Sequence, residues 1–188
     1  MSGGHGHIDP SNKQVALLIA ILALVLAISE TLGKSAQTAG LSANIEASNL
    51  WAFFQAKTVR MTVLRTASEQ VEAELPLADN AKVREALAKR VDKWKKTWER
   101  YDTEPETQEG RKELAARAKA AEKRRDYSLA AYHHFEVASA AVQIAIVLAS
   151  AEVITGVAAL VWLSGALGIT GIVFCAIGIF WPTAVHLF

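Results

Sequence analysis

Two carboxylates that interrupt long apolar runs are the residues best placed for chemistry. Glu30 lies two residues after an uncharged run at 15–28, and Glu152 lies within an apolar run at 137–163. A charged side chain at the centre of a bilayer costs at least about 2.5–3.5 kcal/mol on insertion scales, so it normally has a partner or a function. Both residues are therefore candidate intramembrane polar contacts, with an ion or proton pathway as the alternative.

The surroundings of the two carboxylates differ. Lys34 follows Glu30 at i+4, a favourable spacing on a helix, which predicts an interfacial Glu30–Lys34 pair. Glu152 lies about 22 Å along its run and has no basic residue in the facing runs. We therefore expect Glu152 to find a polar contact on a neighbouring helix, with an oligomer interface or an ion or proton pathway as the alternatives.

A cluster of His133, His134 and Glu136 stands where a charged segment meets the second apolar run. Anchoring at the membrane interface is the expected role, and a metal site or pH sensor is the alternative. The chain has no HExxH spacing, no glycine-rich phosphate loop and no GxSxG elbow. The sequence therefore predicts a protein that is not an enzyme, with no metal, no cofactor and no catalytic residue.

The segment 82–100 is a basic amphipathic helix by its pattern, with apolar residues on one face and an excess of bases elsewhere. Such helices bind anionic lipid surfaces or acidic partners. The alternative is that the tryptophan face packs within the protein and the bases are only solvated. The candidate partner or lipid face comprises Trp94, Trp98, Lys89, Arg90 and Lys93.

Apolar and charged residues are segregated along the 188-residue chain, which is 52% hydrophobic and 21% charged. Three apolar runs are long enough to cross about 30 Å of hydrocarbon. The net charge of +1 gives no argument for nucleic-acid binding. The predicted organisation is a flexible tail at 1–12, a transmembrane helix at 13–33, a cytoplasmic helical insert at 34–136, and transmembrane helices at 137–163 and 166–186.

The sequence of the insert predicts helices without a globular core. Its first segment, 41–75, has an imperfect heptad stripe and ends at Pro76, and a second segment follows at 81–101. Thr103 and Glu106 have the spacing of a capping box before a third segment that continues to Thr155. These patterns predict an all-α membrane protein with a long antiparallel, coiled-coil-like hairpin between its first and second transmembrane helices.

Each predicted transmembrane helix carries one stripe of small residues, a pattern that favours close helix packing in lipid. Packing within a three-helix bundle and oligomerisation both remain open as the use of these stripes. The stripes are Ala16, Ala20, Ala23, Ala27 and Glu30; Ala138, Ala141, Ala145, Ala149, Glu152, Gly156 and Ala159; and Ser164, Gly168, Gly171, Cys175 and Gly178.

Four stretches, at 12–38, 46–60, 132–150 and 184–188, resemble a bacterial membrane family known only as domain of unknown function 4337. The resemblance implies a bacterial inner-membrane protein with this three-helix plan, and it implies no activity or site. The balance of Lys and Arg predicts a cytoplasmic insert and an N-terminus outside.

The function expected from these patterns is a non-enzymatic membrane scaffold or accessory subunit. We expect it to be a homo-oligomer or part of a larger membrane complex, with the lipid bilayer as its surroundings and no nucleic acid as a partner. The alternative function is an oligomeric channel that uses the intramembrane carboxylates.

Overall fold

The computed structural model describes residues 10–185, with side chains from residue 13 onward. Within that range the chain is helical and contains no strand, which confirms the predicted all-α class. Most of the predicted tail, residues 1–9, and the end of the last predicted helix, residue 186, lie outside the described residues. The elements are α1 (Pro10–Glu74), a short 3₁₀ turn (Leu75–Leu77), α2 (Ala81–Asp102), α3 (Arg111–Thr155) and α4 (Ala159–Phe180).

The chain divides into two compact units. The first combines residues up to 41 with residues from 125 onward, and the second comprises Ser42–Arg124. The first unit therefore holds the beginning of α1, most of α3 and all of α4. The second holds the rest of α1, all of α2 and the first turns of α3.

In the first unit α4 packs through its smallest residues. A Cβ added at Gly168 would lie 2.6 Å from Cδ2 of Leu22 in α1, and one at Gly171 would overlap Cγ2 of Val142 in α3. Both helices thus approach the backbone of α4 at positions where only glycine leaves room. The buried residues of α4 are those of its predicted stripe: Ser164, Gly168, Gly171, Cys175 and Gly178.

The stripe of α1 is used differently. Ala16, Ala20, Ala23 and Ala27 are all exposed in the first unit. The helix turns another face inward, which carries both small and large residues, and Leu22 of that face fills the space left by Gly168. In α3, by contrast, Ala138, Ala145 and Ala149 are fully buried, as expected if this stripe packs within the protein.

The turn between α3 and α4 comprises residues 156–158, and not the break between residues 163 and 166 that the predicted transmembrane helices leave. Gly156 adopts φ +69°, and its N–H donates to the Glu152 carbonyl over 2.7 Å, which ends α3 at Thr155. Glycine is the usual residue for this left-handed helix cap. The apolar run continues unbroken through the turn and hides it, so the predicted boundaries 137–163 and 166–186 do not match the helices.

In the second unit, α2 and the first turns of α3 run back along α1. α2 begins at a cap in which Asn80 Oδ1 accepts the Lys82 N–H over 2.9 Å. Three ion pairs show which residues of α1 lie beside the returning chain: Lys95 with Glu72, Lys57 with Glu104, and Arg124 with Glu46.

The core of the second unit follows the heptad stripe that the sequence predicts for residues 41–75. Leu50 and Met61 are buried, and Ala118 and Leu114 of α3 are fully buried. The stripe also buries a charge: the Lys57 side chain is 5% exposed, and its ammonium lies 3.4 Å from Glu104 Oε2. The rings of Phe53 and Tyr101 lie against the same ammonium, at 5.2 and 5.5 Å from their centroids.

The connection between α2 and α3 is held by Glu113, and the predicted capping box of Thr103 and Glu106 was wrong. Thr103 ends α2, and its hydroxyl donates to Glu113 Oε1 over 2.7 Å. The Glu104 N–H donates to Glu113 Oε2 over 3.2 Å. The Thr103 hydroxyl, and then the backbone N–H groups, lower the pKa of Glu113. The capping carboxylate thus reaches back from the first turn of α3.

Two alanine substitutions in α4 test the close packing. Gly171→Ala should destabilise the fold by about 1–3 kcal/mol, because the new methyl group overlaps Val142. Gly165→Ala is the matched control: no atom lies within 4 Å of its added Cβ, so helix propensity should stabilise it by up to about 1 kcal/mol. Thermal unfolding in detergent measures both. Equal unfolding temperatures for the two variants would contradict this packing.

Candidate functional site

Glu30 is paired with an amide of α3 in the first unit. The Gln143 Nε2–H donates to Glu30 Oε1 over 3.1 Å, on the exposed surface. No ion pair joins Glu30 to Lys34 anywhere in the described chain, so the predicted i,i+4 pair was wrong. The sequence missed Gln143 because the contact depends on the register between two helices, and the two residues are 113 positions apart in the chain.

A groove of about 440 Å³ opens beside this pair. It lies between two turns of α1 and three turns of α3, and both walls belong to the first unit. Most of the exposed lining surface is apolar, and carboxylates, one ammonium, amides and hydroxyls are set into it. The lining residues are Ser29, Glu30, Gly33, Lys34 and Gln37 of α1, and Tyr132, Phe135, Glu136, Ser139, Ala140 and Gln143 of α3.

Ser29 is the unexpected member of this groove. Its side chain is fully buried, and its Oγ has no hydrogen-bond partner in the structure. A helical serine usually donates to the carbonyl four residues earlier, as Ser150 does to Ile146 over 2.8 Å. A buried hydroxyl without a partner costs free energy, so its presence in a groove wall is informative. No sequence motif around Ser29 could have indicated it.

The predicted histidine cluster is divided by the fold. His134 is 1% exposed, its Nε2 lies 3.1 Å from the Pro182 carbonyl oxygen, and its ring stacks on Phe174. Because that carbonyl can only accept, Nε2 carries the hydrogen. His133 faces Glu136 instead, with Nδ1 3.7 Å from Oε2.

Glu136 also accepts a weak hydrogen bond, from the Tyr132 hydroxyl over 3.4 Å. Glu136 and Tyr132 line the groove, whereas His134 belongs to the packing between α3 and the end of α4. Among residues 13–185, no group of three histidine, cysteine or acidic side chains could hold a metal ion.

Glu152 lies in the last turn of α3, three residues before the helix ends at Thr155. It is half-buried, and its Oε2 is shielded from solvent without a hydrogen-bond partner. Its predicted depth assumed a helix that continues to residue 163. With the turn at 156–158, Glu152 is near the end of the helix that carries it.

The residues predicted to form a partner or lipid face on α2 do not all lie on one side of that helix. Trp94 and Trp98 are half-buried, and Trp98 lines a cavity of about 380 Å³ with α1 residues such as Ser68. The predicted bases Lys89, Arg90 and Lys93 are exposed. The tryptophans thus face the protein and the bases face outward.

Several of these bases are already partnered. Lys89 pairs with Glu85 over 2.6 Å, and the Arg90 guanidinium lies 6.0 Å from the centre of the Trp94 ring. Lys93 has no ion pair with any carboxylate in the described chain. The exposed surface of α2 is therefore less basic than its composition suggests, but it remains positive around Lys93.

The fold defines an all-helical protein in which three helices, α1, α3 and α4, are long and apolar enough to cross a membrane. The model of the family described as domain of unknown function 4337 matches residues 11–181, and the chain belongs to that family. No curated protein and no solved structure shows significant similarity to the chain.

A pair of phenylalanine substitutions tests the different roles of the two histidines. His134→Phe should destabilise the fold by about 1–3 kcal/mol, because it leaves the buried Pro182 carbonyl without a donor. His133→Phe, at a half-exposed position, should change stability by less than about 0.5 kcal/mol. Unfolding in detergent, followed by circular dichroism, gives both values. A larger loss at His133 than at His134 would refute this assignment.

Proposed function

We propose that this protein is a non-enzymatic membrane scaffold or accessory subunit that assembles through the exposed small-residue face of α1. The main observation in support of this proposal is that Ala16, Ala20, Ala23 and Ala27 are exposed, whereas the stripes of α3 and α4 are largely buried. Helices in lipid associate by close van der Waals packing and polar contacts, since lipid itself supplies no hydrophobic driving force. A face of alanines lets a second backbone approach closely.

The exposed surface of α1 has two different columns. Beside the alanines stand Leu17, Ile21, Leu24 and Ile28, which are between 47% and 63% exposed. Large aliphatic side chains suit contact with acyl chains, whereas alanines suit contact with another helix. Every copy presents the same alanine face, so a symmetric pair of α1 helices is the simplest assembly that covers it.

The outer surface of α2 supports the accessory role. Lys82, Arg90 and Lys93 are exposed and have no carboxylate partner in the described part of the chain. An exposed positive surface favours an acidic partner and speeds encounter with it. This surface is available for a protein partner in addition to the second copy.

Conduction through an oligomer remains the less favoured function. It requires carboxylates along a pathway within the hydrocarbon. Glu152 lies in the last turn of α3, and Glu30 accepts a hydrogen bond from Gln143. Neither is an isolated carboxylate in the middle of a helix, so we propose assembly ahead of conduction.

The proposed location is a bacterial inner membrane, as the family resemblance implies. Crossing by α1, α3 and α4 would leave the N-terminus outside and the insert 34–136 in the cytoplasm, following the excess of Lys and Arg in the insert. The turn at 156–158 would then be outside.

Bulk added to the alanine face should disrupt self-association. Ala23→Leu should weaken it by about tenfold or more, because overpacking at a close helix contact costs about 1–3 kcal/mol. Leu24→Phe, which adds bulk in the neighbouring aliphatic column, is the control and should associate like the unmodified protein. Light scattering or native mass spectrometry in mild detergent measures the mass of the complex.

A strict monomer at high concentration in mild detergent would overturn the self-associating form of this proposal. Association with a different membrane protein in a fixed ratio would instead support the accessory-subunit form. Equal weakening by Ala23→Leu and Leu24→Phe would exclude the alanine face as the contact.

Single cysteines test the orientation. In a Cys175→Ala background, Ala158→Cys should react with a membrane-impermeant maleimide in intact cells, because the 156–158 turn would be outside. Asp79→Cys, in the insert, should react only after the cells are permeabilised. Both positions are exposed in the structure, so burial does not limit labelling. The reverse pattern would show the opposite orientation, and labelling of both in intact cells would exclude a crossing by α3, the candidate span between them.

A further inference from the structure

We propose that the groove between α1 and α3 binds the headgroup of a zwitterionic aminophospholipid such as phosphatidylethanolamine. The proposal rests on the membrane location given above. It concerns the groove that begins at Ser29, beyond the alanine face that ends at Ala27, so the lipid and the second copy would use different parts of α1.

The charges of the groove match a zwitterion. Lys34 supplies one ammonium, which has no ion pair with a carboxylate in the described chain, and it can bind a phosphate. Glu30 and Glu136 supply two carboxylates, which can accept hydrogen bonds from a primary ammonium. A purely anionic headgroup would meet two carboxylates and one ammonium, and the extra negative charge would repel it.

The polar groups of the walls leave unfilled hydrogen-bonding capacity. Gln143 occupies Glu30 Oε1 only, which leaves Oε2 to accept another donor. Ser29 Oγ is fully buried in the wall and has no partner. A ligand ammonium would give the free Glu30 Oε2 a hydrogen bond. Ser29 Oγ is shielded from solvent, so it is an unsatisfied hydroxyl within the wall and not a contact of the ligand.

The size and position of the groove suit a headgroup. Its volume of about 440 Å³ is within the usual range for small-ligand sites, about 300–1,000 Å³. It occupies the stretch of α1 where the apolar run gives way to polar residues, from Ser29 to Gln37. One turn beyond Gln143 on α3, Val147 is 66% exposed and offers an apolar surface for the acyl chain.

The hydrogen-bonding difference between two zwitterionic lipids makes the proposal testable. Ethanolamine lipids carry a primary ammonium that can donate to Glu30 and Glu136. Choline lipids carry a quaternary ammonium that cannot donate, although their phosphate is the same. The carboxylates should therefore discriminate between the two lipids, and Lys34 should bind the phosphate of both.

The experiment is native mass spectrometry of the full chain purified in mild detergent and supplied with equal amounts of phosphatidylethanolamine, phosphatidylcholine and phosphatidylglycerol. The unmodified protein should retain the ethanolamine lipid about tenfold more than either of the others, the effect of a charge-assisted hydrogen bond. Glu30→Gln with Glu136→Gln should abolish the preference over the choline lipid. Lys34→Gln should lower retention of both zwitterionic lipids.

Lys13→Gln is the matched control, because Lys13 is an exposed lysine on the same helix outside the groove. It should keep the full preference. Equal retention of the three lipids by the unmodified protein would overturn the proposal, and this comparison needs no variant. A preference unchanged by both groove variants would also overturn it.

The same spectra report the mass of the complex, which separates this proposal from the assembly role. Self-association without lipid preference would refute the lipid site alone. Recovery of the protein without membranes or detergent would refute the membrane function, and the lipid site with it.

Discussion

The close approach of two helices to the glycines of α4 is the constraint on which the first unit depends. Gly168 meets Leu22 of α1, and Gly171 meets Val142 of α3. Close packing of this kind is the main attraction available to helices in lipid, where burial of apolar surface contributes little. It also fixes which face of α1 is turned inward. The face of α1 that carries Leu22 fits against Gly168, so the alanines on another face are left on the outside.

The polar side chains divide between those that pack the elements together and those that line the groove. His134 reaches the Pro182 carbonyl, and Ser164 donates to the Ala145 carbonyl over 2.7 Å, so both serve the packing of α3 against α4. In the second unit, Lys57 is buried against aromatic rings and Glu104. Such groups hold the structure together because an unpaired buried polar group is costly. The groups around Ser29 are different, since they keep free capacity beside an open groove.

The first unit thus gives α1 three distinct surfaces. One face contributes Leu22 to the core, a second carries the alanines, and the stretch from Ser29 to Gln37 forms a groove wall with Glu30 and Lys34. An assembly role and a lipid site can therefore exist on the same helix without sharing residues. The outward bases of α2 add a separate surface in the second unit, which a third partner could use.

The helical class, the three apolar runs and the end of the first long helix beside Pro76 follow from the sequence alone. Each of these depends on local composition and periodicity, which one stretch of chain carries alone. Tertiary structure decided the rest. The α3–α4 turn depends on the positive φ of Gly156 within an unbroken apolar run, and the partner of Glu30 depends on the register with Gln143. Whether an alanine stripe faces inward or outward depends on the shape of the neighbouring helix, which no single helix encodes.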